Sequence, residues 1–144
     1  MKEQDTVRLL QECDAGVKMG IASINEMMEY AHSVNLKRYL QDCRTSHEKL
    51  GREIHTLLSA YAKDGKKPNP VAKGMAHMKT SLKLALDGSD RTVASLASDG
   101  CHTGIKTLSR YLNEYRLANE TSRDITRSLI DQEEKLAYNI RRFL

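Results

Sequence analysis

The chain has 144 residues and a net charge of +4; apolar residues make up 40%, with no Trp, one Phe and six Tyr. A chain of this length is long enough for a single domain with a real core, so we treat residues 1–144 as one domain. Leu, Ala, Met and Ile must fill that core, and two prolines with eight glycines leave few turns. This composition suits helix-on-helix packing better than a sheet and predicts an all-α fold.

Neither the apolar residues nor the cysteines point to a membrane or to secretion. No run of about 18 uncharged apolar residues occurs, so we expect no membrane span. The first residues carry acids where a signal peptide needs basic residues and then an apolar block. The three cysteines are odd in number and include no C-x-x-C pair, which is typical of a cytoplasmic protein. The modest positive charge does not by itself imply nucleic acid.

The first half of the sequence predicts two long helices, residues 2–32 and 36–63, joined by a short turn. Asn35 is a plausible N-cap for the second helix, and Gly65 is suited to end it in the left-handed conformation. A short turn makes the two helices antiparallel neighbours. The apolar positions of the first helix recur every three or four residues: Leu10, Cys13, Val17, Ile21, Ile24, Met28 and Ala31. Those of the second form an unbroken seam: Leu36, Leu40, Cys43, His47, Leu50, Ile54, Leu57 and Tyr61.

Residues 64–89 hold both prolines and predict a crossover between two hairpins. Asn69-Pro70 is a strong helix start, since Asn can cap and Pro needs no amide at the first position. The segment 71–86 then predicts a short helix that ends before Gly88. Sixteen helical residues reach about 24 Å, and the flanking loops add more. The crossover can therefore return the chain along the bundle, which would make the third helix parallel to the second.

The second half predicts a second hairpin, with helices over residues 90–117 and 122–143. Ser89 caps the first of these helices, and Thr121 with Asp124 resembles a capping box. The stripe of the third helix contains Ala94, Ala97, Cys101, Ile105, Leu108, Leu112 and Tyr115. The stripe of the fourth contains Ile125, Leu129, Gln132, Leu136, Ile140 and Phe143. Two antiparallel hairpins joined by a crossover correspond to ferritin-like topology.

Several segments resemble a family of small bacterial ferritin-like proteins that are distant relatives of rubrerythrin. The resemblance lies in ECDAGVKMGI at residues 12–21, in the long second helix from Leu36, and in the K-K-P-N-P loop that follows it. It continues through SLKLALDGSDRTVASL at residues 81–96 and covers nearly the whole chain. The resemblance implies a four-helix bundle with an extra crossover helix, and it supplies no known activity.

Ferritin-like proteins with a di-iron site carry Glu on two helices and Glu-x-x-His on the other two. Carboxylate and imidazole groups suit iron or manganese. In this sequence the Glu-x-x-His spacing occurs at Glu29 and His32, in the last turn of the first predicted helix. Glu48 and Glu133 have no His three residues later. The mid-bundle pair of motifs is absent, so we predict no catalytic, cofactor-binding or metal-binding residues and no cofactor.

His47 nevertheless lies on the apolar seam, and the crossover would bring it level with His102. A non-standard metal site built from His47, Asp99, His102 and Glu133 remains an alternative. The preferred interpretation makes His47 a core histidine that is hydrogen-bonded, for example to Gln132. The other three, like Glu29, His32 and Glu48, are then assigned to solvated helix faces.

The cysteines and the lysines have simpler interpretations. Cys13, Cys43 and Cys101 fall on inner stripes and are expected to be small buried residues, with a redox pair of Cys43 and Cys101 as an alternative. Residues 63–83 carry six lysines against one acid: Lys63, Lys66, Lys67, Lys73, Lys79 and Lys83. This stretch could bind an anionic partner, but it lacks arginine, and a solvated face is the preferred interpretation.

Three functions remain in competition. The first is a non-catalytic ferritin-like bundle that acts through protein contacts, as a homo-oligomer or with another protein. The second is a metal-binding bundle with oxidoreductase or iron-handling activity. The third is a nucleic-acid-associated protein. We favour the first, and we expect neither a membrane partner nor nucleic acid.

Overall fold

The structure, a computed structural model, describes residues 2–67 and 88–144. Within these ranges the chain is all-α, with no strand. Its elements are α1 (Lys2–Met28), α2 (Val34–Ala60), α3 (Asp90–Glu114), α4 (Glu120–Asn139) and a terminal 3-10 turn (Ile140–Phe143). The predicted crossover helix over residues 71–86, with its Asn69-Pro70 start, lies outside the described residues. No helix in the described part of the chain is long and apolar enough to cross a membrane.

Helix capping moves several predicted helix starts. α2 begins earlier than expected because Ser33, not Asn35, is its N-cap, and the Ser33 hydroxyl accepts from the amide of Leu36. Asn119 rather than Thr121 caps α4. The prediction that Ser89 caps α3 is confirmed, since its hydroxyl accepts from the amide of Thr92. Several small polar side chains near a helix start can accept a hydrogen bond from a free backbone amide. The residue whose side chain makes this bond sets where the helix begins.

The helix ends also differ from the predicted ones. α1 ends at Met28 rather than 32, and α3 ends at Glu114 rather than 117. α2 ends at Ala60 rather than 63, and the left-handed residue after it is Ala62, with φ of 54°. The prediction that Gly65 takes this role is wrong. Gly65 instead lies so close to the Asp14 carboxylate that a Cβ atom there would overlap it.

The helices pair as two hairpins. α1 packs mainly against α2, and α3 mainly against α4, while α2 also contacts α4 and α1 also contacts α3. At one end of the bundle, the amides of His32 and Ser33 donate to the carboxylate of Asp90 at 2.6 and 3.0 Å. The first residue of α3 therefore lies beside the α1–α2 turn.

At the other end, the start of the segment after α2 is held against α1. The Gln11 side chain donates to the carbonyl of Asp64 at 3.1 Å, and the Lys66 amide donates to Asp14 at 2.9 Å. Asp14 is buried and also pairs with Lys18 at 2.6 Å. These contacts hold residues 64–66 against the N-terminal half of α1, away from the α1–α2 turn where Asp90 lies.

The core divides into two apolar clusters along the bundle axis. The cluster near the α1–α2 turn is formed by Ile24, Met27, Ala31, Leu36, Leu40, Cys43, Val93, Ala94, Ala97, Cys101, Leu136 and Ile140. The other is formed by Val7, Leu9, Leu10, Cys13, Val17, Leu50, Ile54, Leu58, Leu108, Ala118, Ile125 and Leu129. Between the two clusters lies a level that contains the ionisable side chains of His47 and Glu133.

Candidate functional site

A buried pair of ionisable residues lies between the two apolar clusters. The His47 side chain is 2% exposed, and its Nε2 lies 3.0 Å from Oε1 of Glu133, whose side chain is 16% exposed. On the opposite side of the ring, Nδ1 lies 3.0 Å from the carbonyl oxygen of Cys43. A protonated imidazole donates both of these hydrogen bonds. His47 is thus a hydrogen-bonded core histidine, as predicted.

The partner of His47 differs from the predicted one. The side-chain amide of Gln132 donates to the carbonyl of Ser46, at 3.5 Å, and the hydrogen bond of the ring goes to Glu133. Glu133 was expected on a solvated face, and that prediction is wrong. Adjacent residues of a helix point about 100° apart, so a modest rotation of α4 decides which of the two side chains faces α2.

Two glycines make room for the pair. A Cβ atom on Gly20 of α1 would lie 3.1 Å from Cδ2 of His47, and one on Gly104 of α3 would lie 3.4 Å from Cδ of Glu133. Each helix thus contributes one residue at this level. We call Gly20, His47, Gly104 and Glu133 the central polar layer.

Charge on His47 is stabilised inside the bundle. Burial by itself lowers the pKa of His47, but hydrogen bonds with Cys43 and with Glu133 outweigh burial and raise the pKa to about 10. The Cys43 thiol lies 3.6 Å from Nδ1. A ring that is protonated on both nitrogens has no free lone pair to accept a proton or bind a metal.

The cysteines are buried, as predicted, and all three are free. Burial raises the pKa of Cys13 to about 11, although a hydrogen bond with Thr126 lowers it. Burial together with the neighbouring Glu133 also raises the pKa of Cys101. Since the thiolate is the reactive form, these two thiols are poor nucleophiles at neutral pH.

The structure does not assemble the alternative metal site predicted from the sequence. Of its members, only His47 and Glu133 meet. Asp99 and His102 are both exposed, and His102 Nδ1 lies 2.7 Å from the carbonyl oxygen of Ser98 in its own helix. Within residues 2–67 and 88–144, no group of three or more His, Cys, Asp or Glu side chains is arranged to hold a metal ion.

The other candidate acids and histidines lie on the surface. Glu29 and His32 are exposed beyond the end of α1, so their Glu-x-x-His spacing is not on a helix. Glu48 is exposed, 3.8 Å from Arg44. Within the described part of the chain, the acids and histidines therefore do not fit the di-iron centre that some ferritin-like proteins carry.

The basic stretch over residues 63–83 is described only at its start. Lys63, Lys66 and Lys67 are exposed, and Lys66 forms an ion pair with Glu12. Lys73, Lys79 and Lys83 lie outside the described residues. One of the three described lysines is therefore engaged within the chain.

The close packing of the central polar layer predicts opposite effects for two glycines of α1. Gly16→Ala should raise the free energy of unfolding by about 1 kcal/mol, because Ala favours helix and nothing lies within 4 Å of its Cβ. Gly20→Ala gains the same helix propensity, but its methyl group presses on the His47 ring, whose two nitrogens are both hydrogen-bonded. Such overpacking costs about 1–3 kcal/mol. Urea denaturation of both variants measures the difference. Equal stabilisation would show that the His47 ring moves aside freely.

No protein-family model, curated protein or solved structure matches this chain.

Proposed function

We propose that the chain is a non-catalytic ferritin-like four-helix bundle that acts through protein contacts, as a homo-oligomer or with another protein. Two ends of the described chain support the ferritin-like topology. Residues 64–66 are bound to the N-terminal half of α1, and Asp90 is bound to the α1–α2 turn at the far end of the bundle. A crossover over residues 67–89 would span the distance between them, with α2 and α3 parallel.

The observation that carries the non-catalytic role is that both ring nitrogens of His47, the buried histidine of the described residues, have hydrogen-bond partners. Its Nδ1 faces the Cys43 carbonyl and its Nε2 faces the Glu133 carboxylate, each at 3.0 Å. A general base needs a free lone pair within reach of a substrate, and a metal ligand needs a neutral ring nitrogen. The central pair is therefore suited to specifying how the helices pack, a role known for buried polar groups in helical assemblies.

The second candidate is a metal-binding bundle with oxidoreductase or iron-handling activity, and one observation favours it. Four residues of types that bind metals lie near the same level: Cys43 and Cys101 of the apolar cluster near the α1–α2 turn, and His47 and Glu133. To bind an ion, His47 would have to lose a proton and separate from Glu133. The mixture of thiols with carboxylate and imidazole suits zinc as well as iron.

Metal analysis separates the two candidates. The purified chain is incubated with ferrous iron, manganese or zinc, desalted and analysed for metal, beside His47→Ala, Glu133→Gln and the surface control His102→Ala. We expect no stoichiometric metal in any of them, because the ring nitrogens of His47 are occupied. Stoichiometric metal that is retained by His102→Ala but lost in both core variants would overturn the proposal and establish the second candidate.

We also place the protein in the cytoplasm. Cys13, Cys43 and Cys101 are all free thiols, which agrees with a reducing compartment.

A further inference from the structure

A groove lies on the outer side of α3 and α4. Its volume is about 520 Å³, and it lies near the C-terminal end of α4. Ile105 and Ala137 are half-buried in it, while Tyr138 is 67% exposed beside them. An aromatic side chain exposed to this extent next to apolar side chains is typical of a contact surface.

The charges on this groove are ordered along α4. Asp131 and Glu134 come first, and Lys135 and Arg141 follow. All four are exposed, and none forms an ion pair with another residue of the described chain. Arg141 lies over the ring of Tyr138, 5.2 Å from its centroid. Along α4 the charge thus changes from acidic to basic, and the exposed Tyr138 lies in the basic part, between Lys135 and Arg141.

We infer that this groove binds a second copy of the chain about a two-fold axis perpendicular to α4. In such an isologous contact the same face of both copies meets, and the residues along one α4 face those of the partner's α4 in reverse order. Asp131 and Glu134 would then face the partner's Arg141 and the partner's Lys135, and the reverse. Tyr138 of each copy would fill the partner groove. This inference rests on the proposed function, in that it names the partner and the surface.

The charge order favours a second copy over other occupants. A uniformly charged partner, such as nucleic acid or a strongly acidic peptide, would meet like charges on half of this face. Like charges brought together at an interface cost several kcal/mol. An antiparallel second copy satisfies both halves with the same four residues.

Charge reversal tests the contact. The basic-face variant combines Asp131→Lys with Glu134→Lys, and the acidic-face variant combines Lys135→Glu with Arg141→Glu. Their controls make the same charge changes on the exposed side of α2: Asp42→Lys with Glu53→Lys, and Lys37→Glu with Lys49→Glu. Sedimentation equilibrium at low ionic strength measures self-association of each protein and of a mixture of the two face variants. Circular dichroism checks that every variant is helical.

We expect the wild type and both controls to dimerise, and each face variant alone to associate at least about tenfold more weakly. Mixing the two face variants should restore the dimer, because opposite charges meet again only between unlike chains. A wild type that stays monomeric overturns this inference. A dimer that both face variants retain as well as the controls do also overturns it, but leaves the proposed self-association in place through another surface. The metal analysis above fails or succeeds independently of either result.

Discussion

His47→Leu is expected to lower the free energy of unfolding by about 3 kcal/mol, the lower end of the cost of breaking a buried ion pair. Leucine fills a similar volume, so the loss comes from the Glu133 carboxylate, which keeps its buried position without a cation. The Glu133 side chain is 16% exposed, and partial hydration keeps the cost at the lower end of that range. Urea denaturation at pH 7 measures the change.

The matched double variant separates the charge from the packing. His47→Leu with Glu133→Leu removes the stranded carboxylate and joins the two apolar clusters, so it should recover at least about half of the lost stability. The surface control His102→Ala should change stability by less than about 0.5 kcal/mol. If the double variant is less stable than His47→Leu alone, the loss does not come from an unpaired carboxylate.

The stability of the wild type is expected to fall as the pH rises from about 6.5 to about 10. The pKa of His47 is raised from 6.5 to about 10 in the folded chain. Across that interval the folded state holds a proton that the unfolded state has released. The free energy of unfolding therefore drops by about 1.4 kcal/mol for each pH unit, and the contribution is fully present below pH 6.5.

Other titrating groups must be subtracted from this profile. The groups facing His47 are Cys43 from α2 and Glu133 from α4, with Cys101 of α3 next to Glu133, while α1 contributes only Gly20. The double variant His47→Leu with Glu133→Leu keeps all the lysines, tyrosines and cysteines of the wild type. The difference between its pH profile and that of the wild type isolates the pair. A difference that stays constant from pH 6.5 to 9 would show that His47 is not charged in the folded chain.

Much of the helical architecture can be predicted from local patterns. The stripe of α2 identifies Leu36, Leu40, Cys43, Leu50 and Ile54 as core residues, and all are buried. Periodicity succeeds here because each helix must bury one face whatever its neighbours are. Caps are less predictable, as Ser33 and Asn119 show, because neighbouring polar residues compete for the same amides.

The glycines of the central polar layer are visible in the sequence, but the spacing of residues within one helix does not show that they lie together. Gly20 lies between Val17 and Ile24 in α1, and Gly104 lies between Cys101 and Leu108 in α3. Each glycine thus lies beside an apolar stripe, next to Ile21 in α1 and next to Ile105 in α3, at the level where α2 carries His47. Bringing the two glycines together with His47 requires the relative heights of the helices, which depend on contacts between residues far apart in the chain.

The sequence by itself determined that this protein is a bundle of long helices, that His47 is in its core and that its cysteines are buried, because those properties follow from the periodicity of single helices. Only the tertiary structure decided that His47 meets Glu133 rather than Gln132, and that Asp99 and His102 stay outside. The reason is rotational. A helix turns about 100° at each residue, so the packing of α4 against its neighbours selects which polar side chain is buried with the histidine.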